Sequence, residues 1–513
     1  MHEGFRIIKN TGYLYAKMGI TMFISLYTTR LILNSLGASD FGIFNIVGGA
    51  IAMLGFLNAS MASATQRFMS YYEGAKDKDK QKNIFNVSIV LHFCIAVSVA
   101  VLLLAAGYFF FNGILNIPDG RIDAAKIVYG SLIISTAFTV MTVPYEAVMN
   151  AHENMKYYAI VGIFESLLKL AVAFACVYTS YDKLIVYGML MACIPLVTMT
   201  IMRVYCHKKY EECVIKPRIY YKKAVFREMV GFAGWNLFAT GASVITNNGV
   251  SIVINMFFGT VVNAAQGIAN QINGQLMALT VVMSKAISPV ITKSEGSRNH
   301  EKTLQMAETS SKLLFFVTSL LAFPAILMMP DILQIWLKNV PEFATFFASV
   351  QLMIFLCEQL TGGYGTAINA TGKIKGISVM KSIFKFAYLP LSYVLFKSGF
   401  SVIASYSFLF VIQGIINGLV IPVCYVDKVL GYSKRKYFIS IFLPVVISSF
   451  IVLVTGRATA FLCNGVIAIV VTTLVCTVIN VVCFYFIVLS KRETALVKEL
   501  FKTLSLRLFH HRC

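Results

Sequence analysis

Long apolar segments alternate with short polar turns from one end of the chain to the other. Segments near 11-35, 41-64, 84-111, 126-148, 157-179, 183-203, 230-256, 263-289, 311-330, 343-369, 377-397, 400-424, 437-456 and 463-489 are each near the roughly 20 residues a helix needs to cross a bilayer. The pattern predicts an all-α polytopic membrane protein with about 14 transmembrane helices. Spans 41-64 and 263-289 are the most polar of the set.

The first two segments flank the turn Leu36-Gly37-Ala38-Ser39-Asp40-Phe41-Gly42, and this arrangement returns later in the chain. Phe258-Gly259 lies between two further apolar segments, and Ser294-Glu295-Gly296 follows it at the distance at which Tyr72-Glu73-Gly74 follows Leu36-Gly37. Tyr145 with Asn150-Ala151 has a similar echo in Tyr364 with Asn369-Ala370. The agreement predicts a duplicated unit. The expected division is an N-terminal lobe of six helices over 1-210, a linker over 211-229, a second six-helix lobe over 230-426, and two further helices with a basic tail over 427-513.

Composition agrees with this class: apolar residues make up 58% of the chain, charged residues 13%, and the mean hydropathy is +0.75. Arg6 and Lys9 precede an apolar run too long for a signal-peptide core, with no small-residue cleavage site after it, so the first helix is expected to stay as an anchor. The 11 cysteines are scattered, mostly inside apolar segments, with no CxxC and no metal-like spacing to His, and read as small core residues. A net charge of +21 raises the question of nucleic acid. Yet the basic residues fall on alternate loops: Lys76, Lys78, Lys208, Lys216, Arg298 and Lys434 are among many on one side, against only Arg30, Arg121, Lys126, Lys183, Lys338, Lys397 and Arg457 on the other. The positive-inside rule explains that asymmetry, places both termini in the cytoplasm and removes the need for nucleic acid.

The loops on the other side are short, the longest spanning about Asn112 to Ala125, which leaves no room for a catalytic or binding domain there. Ile219 to Phe226 mixes aromatics with lysines, and Leu496, Val497, Leu500, Phe501, Leu504 and Leu508 recur at helical spacing among basic residues in the tail. Both stretches read as helices anchored at a lipid surface, with a partner-binding tail as the alternative.

An ionisable group at a helix centre costs roughly 2.5 to 3.5 kcal/mol on insertion, so each asks for a partner or a wet cavity. Away from the span ends these groups are Lys17, Glu165, Lys169, Lys285, Glu358, Lys381 and Lys385, with His92 as a core histidine. Glu165 and Lys169, four residues apart, can pair on one helix face, either as a self-neutralising pair or as part of a transport pathway. Lys385 has Phe384 and no acid beside it, which suggests a hydrated cavity, whereas Lys17, Lys285 and Lys381 are placed to snorkel. Glu358, next to Gln359, is the other candidate coupling group beside Glu165. Segment 230-289 carries more amides than packing requires, and Asn247, Asn248, Asn270, Gln271 and Asn273 suit a lining that hydrogen-bonds sugar hydroxyls.

The early Leu36 to Gly42 turn, the stretch Asn150-Ala151-His152-Glu153-Asn154-Met155-Lys156, its echo Asn369-Ala370-Thr371-Gly372-Lys373-Ile374-Lys375, and twelve repeat helices plus two together resemble the polysaccharide transporter family. This is the O-antigen flippase-like group of the multidrug, oligosaccharidyl-lipid and polysaccharide exporter superfamily. The resemblance covers nearly the whole chain and implies two six-helix lobes around a cavity that opens alternately to either side of a bacterial inner membrane. It implies as cargo an undecaprenyl-pyrophosphate-linked oligosaccharide destined for surface polysaccharide such as lipopolysaccharide. Membrane lipid and polysaccharide polymerase machinery are the other implied partners, no cofactor is implied, and the protein is expected not to be an enzyme. Lys17, Lys169 and Lys385 could meet the pyrophosphate, and the amides the sugar. A drug/cation antiporter of the same superfamily is the alternative: it needs buried acids, and the first, seventh and eighth helices contain none, while Glu165 and Glu358 keep that reading open. A membrane glycan ligase or polymerase needs a paired acid and base, and the spans hold no such cluster.

Overall fold

The computed structural model describes residues 2-52, 55-111, 117-337, 340-462, 465-495 and 498, and the apolar tail positions from Leu496 to Leu508 named above lie outside them. All regular structure among the described residues is helical. The main elements are α1 (His2–Ala52), α2 (Gly55–Gly74), α3 (Lys78–Phe109), α4 (Ile122–Ala151), α5 (Met155–Tyr178), α6 (Lys183–Lys209), the single turn α7 (Pro217–Tyr220) and α8 (Lys223–Gly296). They continue with α9 (His300–Leu327), α10 (Met329–Leu337), α11 (Ala344–Gln359), α12 (Gly362–Thr371), α13 (Lys375–Lys397), α14 (Val402–Leu409), α15 (Ile421–Leu430), α16 (Lys434–Tyr437), α17 (Leu443–Leu462) and α18 (Gly465–Cys483). A π-helix over Phe410–Val420 joins α14 to α15.

Among the described residues eleven helices are long and apolar enough to cross a membrane, and α11 with α12, bent by 49°, makes a twelfth. The more polar stretch His2–Gly74 runs out and back. Asn10 reaches the carbonyl of Glu153 at one end, Ser35 reaches that of Cys176 at the other, and Glu73 returns to the first end beside His152. The polytopic all-α class therefore stands, with a total compatible with about 14 crossings. The first turn is tighter than the sequence suggests: the break is confined to Gly37, and helix resumes at once through Asp40.

The duplication is written in the backbone. Gly37 (φ 78°, ψ 168°) and Gly259 (φ 77°, ψ −173°) share a conformation essentially closed to residues with a Cβ. At the same distance beyond each, Lys76 and Arg298 take positive φ of 56° and 58°. One residue further, Asp77 caps α3 by accepting from the amide of Lys80, and Asn299 caps α9 by accepting from that of Lys302, both at 3.0 Å. Glu153 and Gly372 end the fourth and twelfth helices of the list with φ of 55° and 78°, and Tyr145 and Tyr364 before them are both buried.

The chain divides into two compact units, residues 8-237 with 296-298, and residues 1-7, 238-295 and 299-513. In the N-terminal unit α4 packs on α3 and α6. Small residues let the backbones approach: a Cβ on Gly188 would stand 2.8 Å from Val128, and one on Gly107 2.6 Å from Tyr129, whose hydroxyl donates to the carbonyl of Leu103 at 2.6 Å. In the C-terminal unit α11 packs on the π-helix and on α9. Phe347 stacks on Tyr406 at 3.8 Å, and the hydroxyl of Tyr388 donates to the carbonyl of Ser405 at 3.1 Å. The pair α17 and α18 lies against α9, where Asn480 donates to Ser319 at 2.8 Å.

Because Gly259 occupies a conformation that only glycine adopts freely, Gly259→Ala should destabilise the protein by about 1–3 kcal/mol. Thermal unfolding in detergent checks this, and an unchanged midpoint would show that the turn accepts an L residue.

Candidate functional site

The polar chemistry at membrane depth is concentrated in the C-terminal unit. Asn247 and Gln271 stand equally far before and after Gly259, about 18 Å from the turn at about 1.5 Å per residue, close to the middle of a bilayer core about 30 Å thick. Asn247, Asn248, Asn270 and Gln271 are exposed, and Asn273 is half-buried with no partner for its Oδ1 among the described residues. Hydrocarbon cannot satisfy an exposed amide, so this face belongs against water or a polar ligand. Asn248 turns one N–H back to the carbonyl of Val244 at 3.0 Å, and Ser251 ties the two arms of α8 by donating to Asn263 at 2.5 Å.

One turn before Asn247, Ser243 accepts from Lys385 Nζ at 2.6 Å, and Thr246 donates to the carbonyl of Lys385 at 3.1 Å. These bonds join α8 to α13 beside Gly249, where a Cβ would stand 2.7 Å from Leu389. Lys381 lies one turn from Lys385 on α13, and both interact electrostatically with Glu358 at the end of α11. Glu358 is accessible although helices crowd around it. The unit thus assembles two ammonium groups, one carboxylate and a run of exposed amides.

Two expectations change here. Lys385 is not isolated from acid, because the charge of Glu358 on α11 acts on it. Lys381, read as a snorkelling residue, belongs to the same cluster, and its spacing from Lys385 was the sequence signal for that.

The candidates of the N-terminal unit are engaged separately. Lys169 donates to Glu165 at 2.6 Å, as their spacing predicts. The ammonium of Lys17 lies 4.2 Å from the centre of the Tyr158 ring, held by a cation–π contact rather than extended to the headgroups. Its stem passes so close to Gly162 that a Cβ there would stand 2.1 Å from Cε. His92 is fully buried, with Nδ1 2.8 Å from the carbonyl of Ser88 and no partner at Nε2 among the described residues.

Sequence reasoning missed two ionic clusters in this unit. At the end carrying the Gly37 turn, Arg121 bridges Asp40 and Asp182, the latter at 2.5 Å. The hydrogen bonds to Asp40 and Asp182 push the guanidinium further above its ordinary value. At the opposite, basic end His152 stands between Glu73 and Glu212. Burial alone would raise both carboxyls. For Glu73 the hydrogen bond from Gln81 and the charges of His152 and Lys78 outweigh it, for Glu212 chiefly the hydrogen bond and charge of His152, and both stay below the usual carboxylate range. The repeated Glu73 and Glu295 were the available signal.

The sequence model of a family described as polysaccharide biosynthesis protein matches residues 7–295, more than half of the chain. The chain belongs to that family. No curated protein matches it significantly. In fold, this polysaccharide biosynthesis family member is similar to solved transporters of the same superfamily as the early resemblance. A mutant MATE protein shares 13% identity at a TM-score of 0.71, covering 84% of this chain and 96% of that one. A multidrug resistance MATE family transporter of the MOP superfamily in an outward-facing conformation shares 14% at 0.67, covering 83% and 96%. A MOP superfamily transporter from Pyrococcus furiosus, whose binding pocket is described as reversed in polarity, gives the same values.

Cysteines placed singly at Asn247 and Gln271 should both react with a water-soluble, membrane-impermeant thiol reagent. Protection of both would place the amide face against lipid or protein instead.

Proposed function

We propose that this membrane transporter moves a polyprenyl-diphosphate-linked oligosaccharide, with undecaprenyl as the carrier lipid, across the bacterial inner membrane by alternating access of its two repeats. The repeats are taken as 1-210 and 230-426, with 211-229 as the linker, 427-513 as appended helices and tail, and both termini in the cytoplasm.

The observation that carries this reading is Lys385, bonded to Ser243 one turn from the exposed Asn247 near the bilayer midplane, with Lys381 one turn further along α13. A diphosphate needs fixed positive charge and a sugar needs hydrogen-bonding side chains, so the two halves of one head group find suitable chemistry within a few turns of helix. Lys385, Asn247, Asn248, Asn270, Gln271 and Asn273 are the favoured contacts. Lys17 and Lys169 hold partners within their own unit and serve the head group only if they exchange them. The carrier's tail stays in the bilayer. Glu358 beside the lysines, and Glu165, support the competing reading of an ion-coupled drug or cation antiporter.

Deleting the protein should make one complete lipid-linked repeat unit accumulate, with loss of the corresponding surface glycan, read by mass spectrometry of extracted lipids. An unchanged pool with greater sensitivity to cationic dyes would favour the antiporter. Lys385→Ala removes a charge-assisted contact of roughly 1.5–3 kcal/mol and should cut export tenfold or more while the protein still inserts normally. The double change Glu165→Gln with Lys169→Met should retain export.

A further inference from the structure

At the basic end of the N-terminal unit three separate connections converge on one imidazole. His152 follows the last turn of α4; its Nδ1 lies 3.3 Å from an oxygen of Glu73 at the end of α2, and its Nε2 is hydrogen-bonded to Glu212 in the segment after α6. The other oxygens of the two carboxylates face Lys78 at the start of α3, at 3.0 Å and 3.5 Å, and Gln81 adds a donor to Glu73 at 2.9 Å. Tyr210 stacks on the ring with centroids 4.2 Å apart and planes 10° apart, and its hydroxyl accepts from Asn154 at 3.0 Å. Among the described residues Glu73, Lys78, Glu212 and Tyr210 are the titratable groups placed against the ring.

A neutral imidazole has one N–H and one lone pair, so it can serve only one of the two carboxylates. Both nitrogens here face carboxylate oxygens, an arrangement complete only when the ring carries both protons. With both, two carboxylates balance Lys78 and the imidazolium. Without the second proton, one negative charge is in excess around Glu212, which is 1% exposed. One ligating atom each from Glu73, His152 and Glu212 lie within 4.8 Å of one another, a spacing that could suit a divalent cation. Two features oppose that: the carboxylates flank different ring nitrogens, of which a metal takes only one, and the ammonium of Lys78 already occupies their remaining oxygens.

We infer that His152 is a proton-operated latch, which in its doubly protonated form ties the α2–α3 turn, the α4–α5 turn and the segment after α6 together, and which loosens when one ring proton leaves. The device belongs to one repeat only. The corresponding stretch Asn369-Ala370-Thr371 places a threonine where His152 stands, and the second repeat's own histidine, His300, is 63% exposed against Glu295.

The test is hydrogen–deuterium exchange on the purified full-length protein in lipid nanodiscs, followed over residues 210-216 and corrected for the intrinsic effect of pH. On going from acid to alkaline pH, protection in the wild type should fall about tenfold, while His152→Gln should show no pH-dependent change. Glu212→Gln removes one of the two charges that demand the second proton, so its protection should likewise stay flat, and it carries the test if His152→Gln does not insert. Equal pH profiles in the wild type and either variant would overturn the latch. So would recovery of protection in the wild type at the higher pH on adding zinc alone, which would make the cluster a metal site.

Discussion

Hydrocarbon offers a backbone no hydrogen-bond partner, and the architecture follows from that constraint. The chain answers with uninterrupted helices and confines its Gly-only breaks, Gly37 and Gly259, to the ends of spans. Where irregular backbone does occur inside a span, other groups meet its needs. Between α11 and α12 the hydroxyl of Thr361 donates to the carbonyl of Gly418 at 2.5 Å, inside the π-helix over Phe410–Val420. A Cβ on Gly418 would stand 3.3 Å from the amide nitrogen of Glu358. The broken helix and the π-helix therefore patch each other, and Glu358 sits at the patch, where backbone polarity adds to that of its own carboxylate.

The same constraint governs ionised side chains, and the chain meets it with a different device each time. Lys169 has an acid one turn away, Lys17 an aromatic face, and Lys385 a hydroxyl with a carboxylate beyond. Lys312, 1% exposed at the basic end of α9, is held at 3.0 Å by Glu308 and at 2.9 Å by Glu493 from beyond the last span. Burying that ammonium is costly alone, so the pair fixes where the chain after Ser490 begins. Ser490 and Glu493 cap one another's backbone amides in the manner of a capping box, and Glu493 stays ionised because Lys312, Thr309 and Ser490 outweigh its burial.

What could be read from the sequence was what repeats locally. Apolar length gave the spans, and Gly37 and Gly259 marked turns because no other residue fits their backbone. The Glu165 and Lys169 pair was visible because a helix brings residues four apart to one face. What escaped was convergence between distant turns. Glu73, His152 and Glu212 each look like an ordinary charge on a basic loop, and only folding puts them around one ring. Lys381 was misjudged for a related reason: nearness to a span end suggested an escape to the headgroups, while its nearest countercharge, Glu358, lay on another helix.

The two units differ in where their polarity lies. In the first repeat Arg121 joins Asp40 to Asp182, and Asp182 caps α6 by accepting from the amides of Leu184 and Ile185. Counting from Gly259 as from Gly37, the position of Asp40 is taken in the second repeat by Val262, which is buried, and the helix corresponding to α6 begins with Ser401 as its cap. A neutral cap and a buried valine do not hold that end by charge. The second repeat instead carries exposed amides twelve residues to either side of Gly259, at Asn247 and Gln271, where the first has Ser25 and Gly49. At the end carrying the glycine turn one copy is held by charge and the other is not, while both carry ionised groups along their helices.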